Sequence, residues 1–183
     1  MIAIACDHGA LALKDHLKAY LENKGIACKD FGTYTPDSCD YPDFAAPAAQ
    51  AVASGECEKG IVLCTTGIGA SIAANKVDGI RCALLHDSWS AKMTRLHNDT
   101  NMMAIGAGVV GENLALEIVD VWVGTEFSGD ERHQRRIDKV MALGAGVVGK
   151  NLALEIVDTW LGTEFSNDER HQRRIDKMMA LEG

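Results

Sequence analysis

A thiol, two hydroxyls and two glycines stand together where an apolar run ends, in Gly60-Ile61-Val62-Leu63-Cys64-Thr65-Thr66-Gly67-Ile68-Gly69. The run shows no polar alternation, which is the pattern of a strand buried on both faces. Ser71-Ile72-Ala73-Ala74, just beyond it, reads as a small-residue helix. Cys64 therefore sits at the carboxyl tip of a strand, ahead of a helix N-terminus whose unpaired N–H groups and partial positive charge favour an anion. Thr66 adds a hydroxyl that can donate and accept, and Gly67 and Gly69 let a ligand approach the backbone. A reactive thiol beside anion-binding groups is the chemistry such a turn supports. A small buried Cys in an ordinary βα turn is the plainer alternative.

Three further groups of residues could join it. Asp7 and His8 follow the first apolar run, Met1 to Cys6, and ligands of open parallel sheets bind beyond the carboxyl ends of the strands. If the first and third strands are neighbours, a carboxylate, an imidazole, a thiol and a hydroxyl face one crevice. A helix cap for Asp7 and a solvated turn for His8 are the bland readings. His97-Asn98-Asp99-Thr100-Asn101 is a dense polar run between a helix and a strand, which a C-cap and turn could also explain. A helix returning from the carboxyl rim ends at the opposite edge, so His97 can join Cys64 most simply from a partner subunit. Arg132 and Arg136 lie one helical turn apart and can clamp a phosphate, with pairing to Asp130, Glu131 and Asp138 as the alternative.

The elements that must position these groups alternate. Met1–Cys6, Ile26–Phe31, Gly60–Cys64, Ile80–Leu85 and Met102–Ile105 read as strands. Helices are expected from Leu11 (with Leu13, Leu17 and Leu21 on its apolar face) to a stop at Gly25, through the alanines to Ser54, after Gly69, and over Ser88–His97. Another carries Leu114, Ile118, Val121 and Trp122 on one face, and the next spans Asp130–Leu143. Such alternation predicts βαβ units and a doubly wound, five-stranded parallel sheet of the Rossmann-like α/β class. Ala104–Met141 then recurs as Ala142–Met179, 38 residues on, with six differences. Two copies do not make a solenoid. We therefore expect a domain at 1–143, and a duplicated C-terminal segment at 144–183 packed outside it as extra helices. Its Leu152, Ile156 and Trp160 would face a neighbour, and the strand-like Ala142-Leu143 would be absorbed into helix.

Composition narrows the partners. The chain has 183 residues and a net charge of −8, with 18 basic residues, so binding to nucleic acid or an anionic membrane through a general field is not expected. No apolar run reaches transmembrane length, and no basic leader opens the chain. The six cysteines, Cys6, Cys28, Cys39, Cys57, Cys64 and Cys82, lack C-x-x-C spacing, and a reduced, cytoplasmic setting fits them.

Together the motifs resemble the type B ribose-5-phosphate isomerases and the related galactose-6-phosphate isomerase subunits. The resemblance spans residues 1 to about 142. It rests on Cys6-Asp7-His8-Gly9, Asp40-Tyr41-Pro42-Asp43, Gly60 through Gly69, Ser71 through Lys76, Gly79-Ile80-Arg81, His97 through Asn101 and Arg132-His133-Gln134. It implies an aldose–ketose isomerase of sugar phosphates that uses no metal or organic cofactor. Carried onto this chain, it implies that Cys64 is the base moving a proton between C1 and C2. Thr66 and the N–H groups of Gly67 to Ala70 would steady the enediolate. His97 would open the sugar ring, Asp7 would orient hydroxyls, and Tyr41, Gly67, Gly69 and Asn98 would line the substrate. His8, Arg132 and Arg136 would hold the phosphate. A homodimer or dimer of dimers with shared sites is implied as well.

Two features depart from the family pattern. Thr65 stands where the family has Gly and should narrow the pocket, and the duplicated tail is foreign. The retained Cys favours ribose 5-phosphate over the galactose-type subunit, with a hexose 6-phosphate such as allose 6-phosphate as an alternative. A non-catalytic sugar-phosphate or nucleotide-binding module is the rival from another class. A nucleotide binder would show G-x-G-x-x-G after the first strand, which Cys6-Asp7-His8-Gly9-Ala10-Leu11 is not.

Overall fold

The computed structural model describes residues 1–142 and 168–182. Five short apolar runs form strands: β1 Ile2–Cys6, β2 Cys28–Asp30, β3 Lys59–Cys64, β4 Cys82–Leu84 and β5 Met102–Gly106. All pair in parallel, in the order β2-β1-β3-β5-β4. The helices are α1 Leu11–Asn23, α2 Pro42–Ala53, α3 Ile68–Asn75, α4 Ser88–Asn98, α5 Glu112–Gly124 and α6 Glu131–Ala142, with α7 at Glu169–Met179. The expected doubly wound α/β sheet is present. The strands are trimmed relative to their apolar runs, most of all β2 and β4.

Alternation along the strands divides the core. Ile2, Ile4, Ile61, Leu63, Met103 and Ile105 point to one face, where they meet α1, α4 and α5. Ala3, Ala5, Val62, Cys64, Met102 and Ala104 point to the other, against α2 and α3. The second face is built largely from alanine, so α2 and α3 lie close to the sheet. Cys64 is thus on the α2/α3 side. On α5 the buried face is Ala115, Ile118, Val119 and Trp122, while Leu114 is exposed. The stripe expected from Leu114 and Val121 is rotated because α5 also packs on α4 and α1.

Both ends of the duplication are described, but residues 143–167 are not. The expectations for Leu152, Ile156, Trp160 and the start of the 144–183 segment lie outside the described residues. Helix α6 runs through Ala142, as expected for the junction. Among the described residues no helix is long and apolar enough to cross a membrane.

Trp122 is the largest fully buried side chain among the described residues, and its indole N–H donates to Thr100 Oγ1 at 3.0 Å. This bond ties α5 to the turn ahead of β5. Trp122→Phe leaves the Thr100 hydroxyl buried without that donor and should cost about 1–3 kcal/mol in urea unfolding. Adding Thr100→Val should recover part of the loss.

Candidate active site

The sheet turns in opposite directions on either side of β1 and β3, so their carboxyl ends flank the crevice where such folds take ligands. The register brings Cys6 opposite Leu63, and the N–H of Asp7 donates to the Leu63 carbonyl at 3.1 Å. Asp7 and Cys64 therefore stand side by side at this rim. Asp7 is buried and its Oδ1 accepts the Gly9 N–H at 3.0 Å, capping a short 310 turn over His8–Ala10. Burial raises its pKa, opposed by the charges of His8 and Arg174 and by the Gly9 N–H. The capping alternative is thus realised, with the carboxylate still in the crevice wall. His8 Nδ1 accepts the Cys39 N–H at 3.2 Å, which leaves Nε2 to carry the ring proton of the neutral form.

On β3, Cys64 is buried, and its Sγ accepts the Gly67 N–H at 3.1 Å. Gly67 holds φ +78°, and a Cβ there would meet Leu84 Cδ1 at 2.5 Å and the Gly106 nitrogen at 2.8 Å. Only glycine fits both constraints. Thr66 Oγ1 accepts the Ile68 N–H at 3.3 Å. Two of the four N–H groups expected to steady an oxyanion are therefore engaged within the turn. Among the described residues, Gly69 and Ala70 carry the donors left at the mouth of α3.

A Cβ on Gly69 would overlap the ring of Tyr41, so this glycine also makes room for a side chain of the protein. Tyr41 is half-buried, and burial raises its phenol pKa. The Arg174 charge pulls it down, and the charges of Cys64, Asp40 and Asp7 push it up. These groups share one electrostatic neighbourhood. Burial also raises the other five thiols, Cys6 to about 12 and Cys28 to about 11, so none of the five is a thiolate near neutral pH.

His97 is exposed near the end of α4, at the amino edge of the sheet and away from Cys64. Its ring lies against His133 of α6, with centroids 4.4 Å apart. Burial lowers the His133 pKa, helped by His97. The backbone of the rest of the polar run is held by two arginines. Arg81 donates to the carbonyls of Asn98 (3.0 Å) and Asp99 (2.6 Å), and Arg95 to Asp99 Oδ1 (2.8 Å) and the Thr100 carbonyl (2.6 Å). Asp99 takes the left-handed C-cap conformation, φ +43°. Helix α6 packs on α4, where Arg132 pairs with Asp130 at 3.5 Å and Arg136 is exposed. Within one chain, then, Asp7, His8, Tyr41, Cys64, Thr66, Gly67 and Gly69 come together. His97, Asn98, Arg132 and Arg136 form a second group elsewhere.

Sequence reasoning missed three features. Lys14 is fully buried and binds Asp30 Oδ1 (3.0 Å) and the Thr33 carbonyl (2.7 Å), fixing the loop that leads to Cys39. Gly106 ends β5 where a Cβ would meet the Thr66 backbone at 2.5 Å. The third is α7, which lies on α2 of its own chain. Its Arg173 and Arg174 bind Asp40, and the Arg174 guanidinium stands 5.6 Å from the Tyr41 ring centre. Helix α7 packs on α2, outside the sheet, and places its cations on Asp40 beside the site.

The Ribose/Galactose Isomerase family profile matches residues 2–140 and again 138–178, so the tail itself carries the family pattern. Ribose-5-phosphate isomerase B of Escherichia coli is 45% identical over 139 residues, covering 76% of this chain and 93% of that protein. D-erythrulose-4-phosphate isomerase of Pectobacterium atrosepticum is 44% identical over 130 residues, covering 70% and 85%. The solved ribose-5-phosphate isomerase B of Clostridium thermocellum is 50% identical with a TM-score of 0.76, covering 78% of this chain and 95% of its own.

Thr65 is exposed and sits in a notch between two glycines. A Cβ on Gly9 would overlap Thr65 Oγ1, and one on Gly108 would meet Thr65 Cγ2 at 3.2 Å. Gly9→Ala should therefore destabilise the protein by about 1–3 kcal/mol, and Thr65→Gly in the same chain should restore it. Paired thermal melts of the two variants check this. Additive effects would mean that Thr65 swings clear of Gly9.

Proposed function

The chain belongs to the ribose/galactose isomerase family of aldose–ketose isomerases, and from that premise we propose that it interconverts ribose 5-phosphate and ribulose 5-phosphate through an enediolate, with Cys64 as the base. The observation that carries this reading is the placing of Cys64 Sγ at the mouth of α3, across the β1/β3 crevice from Asp7 and His8. With the open-chain sugar there, the Cys64 thiolate takes the proton from C2. The C2–H electron pair forms the C1–C2 double bond, and O1 takes up the negative charge. The Thr66 hydroxyl and the N–H groups of Gly69 and Ala70 face that charge and favour the transition state over the substrate. The 2-hydroxyl then passes its proton to O1, C2 becomes the carbonyl, and the electron pair of the C1–C2 double bond takes the proton from Cys64 at C1. Electrons balance within the sugar, so the isomerisation needs no outside oxidant.

The second group completes the site from another subunit. His97 of the partner subunit moves a proton from the anomeric hydroxyl to the ring oxygen, opening the sugar. Asn98 of the partner subunit contacts it. Arg132 and Arg136 of the partner subunit, with His8, hold the phosphate. The separation of the two groups within one chain supports this reading, as does the exposure of His97 and Arg136. Charge on the substrate suits it too, since a phosphate in an acidic chain needs local cations. The setting we propose is cytoplasmic.

A panel of four-, five- and six-carbon aldose phosphates tests the substrate, with ribose 5-phosphate expected to give the highest kcat/KM. Cys64→Ala should fold normally and bind substrate while kcat falls about a hundredfold or more. Wild-type turnover in that variant would remove Cys64 from the reaction. The shared site has its own check. Inactive Cys64→Ala and His97→Ala chains, mixed under conditions of subunit exchange, should regain activity, because one site of each mixed dimer holds both intact groups. Exchange without recovery would place His97 outside the site.

A further inference from the structure

Helices α6 and α7 are nearly one sequence: Glu131–Met141 and Glu169–Met179 differ only at Val140/Met178. They nevertheless use different faces. Helix α6 buries His133 and Ile137 against α4 and leaves Arg135, Arg136 and Lys139 exposed. In α7 the equivalent cations are the ones engaged. Arg173 binds Asp40 at 2.8 and 2.9 Å. Arg174 binds Asp40 at 3.0 Å and the Cys39 carbonyl at 2.9 Å. Lys177 binds Asp43 at 2.6 Å and Asp40 at 3.3 Å. Ile175 and Met178 sit beside these cations against the α2/α3 core, and Tyr41 Oη lies 3.7 Å from Met178 Sδ.

We propose that α7, seated in the groove formed by Cys39, Asp40, Tyr41 and Asp43, competes there with α6 of a second copy of the chain, the helix that the shared site proposed above brings to this rim. The argument is complementarity. The groove presents two carboxylates, a carbonyl and an aromatic edge, and α7 shows which helix satisfies them. Helix α6 carries the same three cations at the same helical positions, with no ion pair to any of them among the described residues. It cannot reach the groove of its own chain while docked, because α4 and α2 cover opposite faces of the sheet. Its own α4 contact leaves the basic face outward, toward another molecule. The two occupants are not equivalent. Docked in trans, α6 brings along His97, which its His133 touches, whereas the repeat that carries α7 holds no counterpart of His97. The tail therefore sets how much of the protein holds a complete site. The inference rests on the shared site proposed above.

Zero-length carbodiimide coupling reads the groove directly, since Lys177 Nζ and Asp43 are already in contact. In the wild-type full chain the expected product is Lys177–Asp43 within one molecule. In R173E/R174E/K177E, repelled from Asp40, the expected product is Lys139–Asp43. In mixtures of 14N- and 15N-labelled protein it should join light to heavy chains. Sedimentation velocity of the same variant should show the dimer dissociation constant falling at least about tenfold, and adding R135E/R136E/K139E should reverse it. K177E alone should give a smaller shift in the same direction if the triple variant folds poorly. Absence of Lys139–Asp43 coupling between chains in the α7 variants would overturn the proposal, as would that coupling with α7 intact. Coupling that shifts as expected without any gain in isomerase turnover would count against the isomerase reading alone.

Discussion

The site depends on how tightly the turn after β3 is pressed onto the end of β5. Gly67 has no room for a side chain against Ile105 and Gly106, and Gly106 has none against Thr66. The Ala107 N–H donates to the Cys64 carbonyl at 2.9 Å and the Gly108 N–H to the Thr65 carbonyl at 2.8 Å, so the β3 ladder continues past the strand. These backbone bonds hold the turn while its own N–H groups bend back, one to Cys64 Sγ and one to Thr66 Oγ1. A looser turn would let both side chains rotate. If Cys64 is the base as proposed, its placement and that of the oxyanion donors matter because errors near 1 Å can cost orders of magnitude in rate.

The duplicated helix shows how little local sequence decides once tertiary contacts are available. Helix propensity and caps make Glu131–Met141 and Glu169–Met179 helices with equal force, yet each chooses its face from its surroundings. On α4 the available surface is the His97 ring and an apolar shelf, so His133 and Ile137 turn inward. Above α2 the surface is anionic. There the cations turn inward, and the Arg173 hydrogen bonds hold the Asp40 carboxyl well below the usual carboxylate range. Exposed ion pairs are worth little, about 0.2–1 kcal/mol each. Asp40 differs in being almost fully enclosed with α7 in place, and the three cations of α7 are part of what encloses it.

Much of this was legible in the chain. Apolar runs located all five strands, and the order of helices and strands fixed the sheet class. The place of Cys64, Asp7 and His8 at one rim followed from strands ending together, and the distance of His97 followed from the direction of α4. What was illegible had a common cause: partners far apart in sequence. Lys14 lies on the apolar side of α1, but a lysine in a helix reads as solvated until Asp30 and Thr33 are placed beneath it. Nothing near Gly69 in sequence shows that it also makes room for the Tyr41 ring. Arg174 has nothing in its neighbourhood of sequence to connect it with Asp40 or Tyr41.

The distribution of cations bears on where the proposed function would place its phosphate. Lys14 and Lys18 neutralise Asp30, Arg81 and Arg95 hold the Asp99 turn, and Lys24 is taken by Asp120. On the rim itself, His8 is the one basic group supplied by the β1 and β3 ends, and its Nδ1 is occupied by a backbone N–H. A doubly charged phosphate there meets a buried Asp7 and needs guanidinium groups to offset it. Both helices of the repeat carry them, one on the near side of the molecule and one on the far side. Under the proposed function a phosphate site at this rim would be completed by a helix arriving from outside the domain core, and the identity of that helix would decide whether His97 arrives with it.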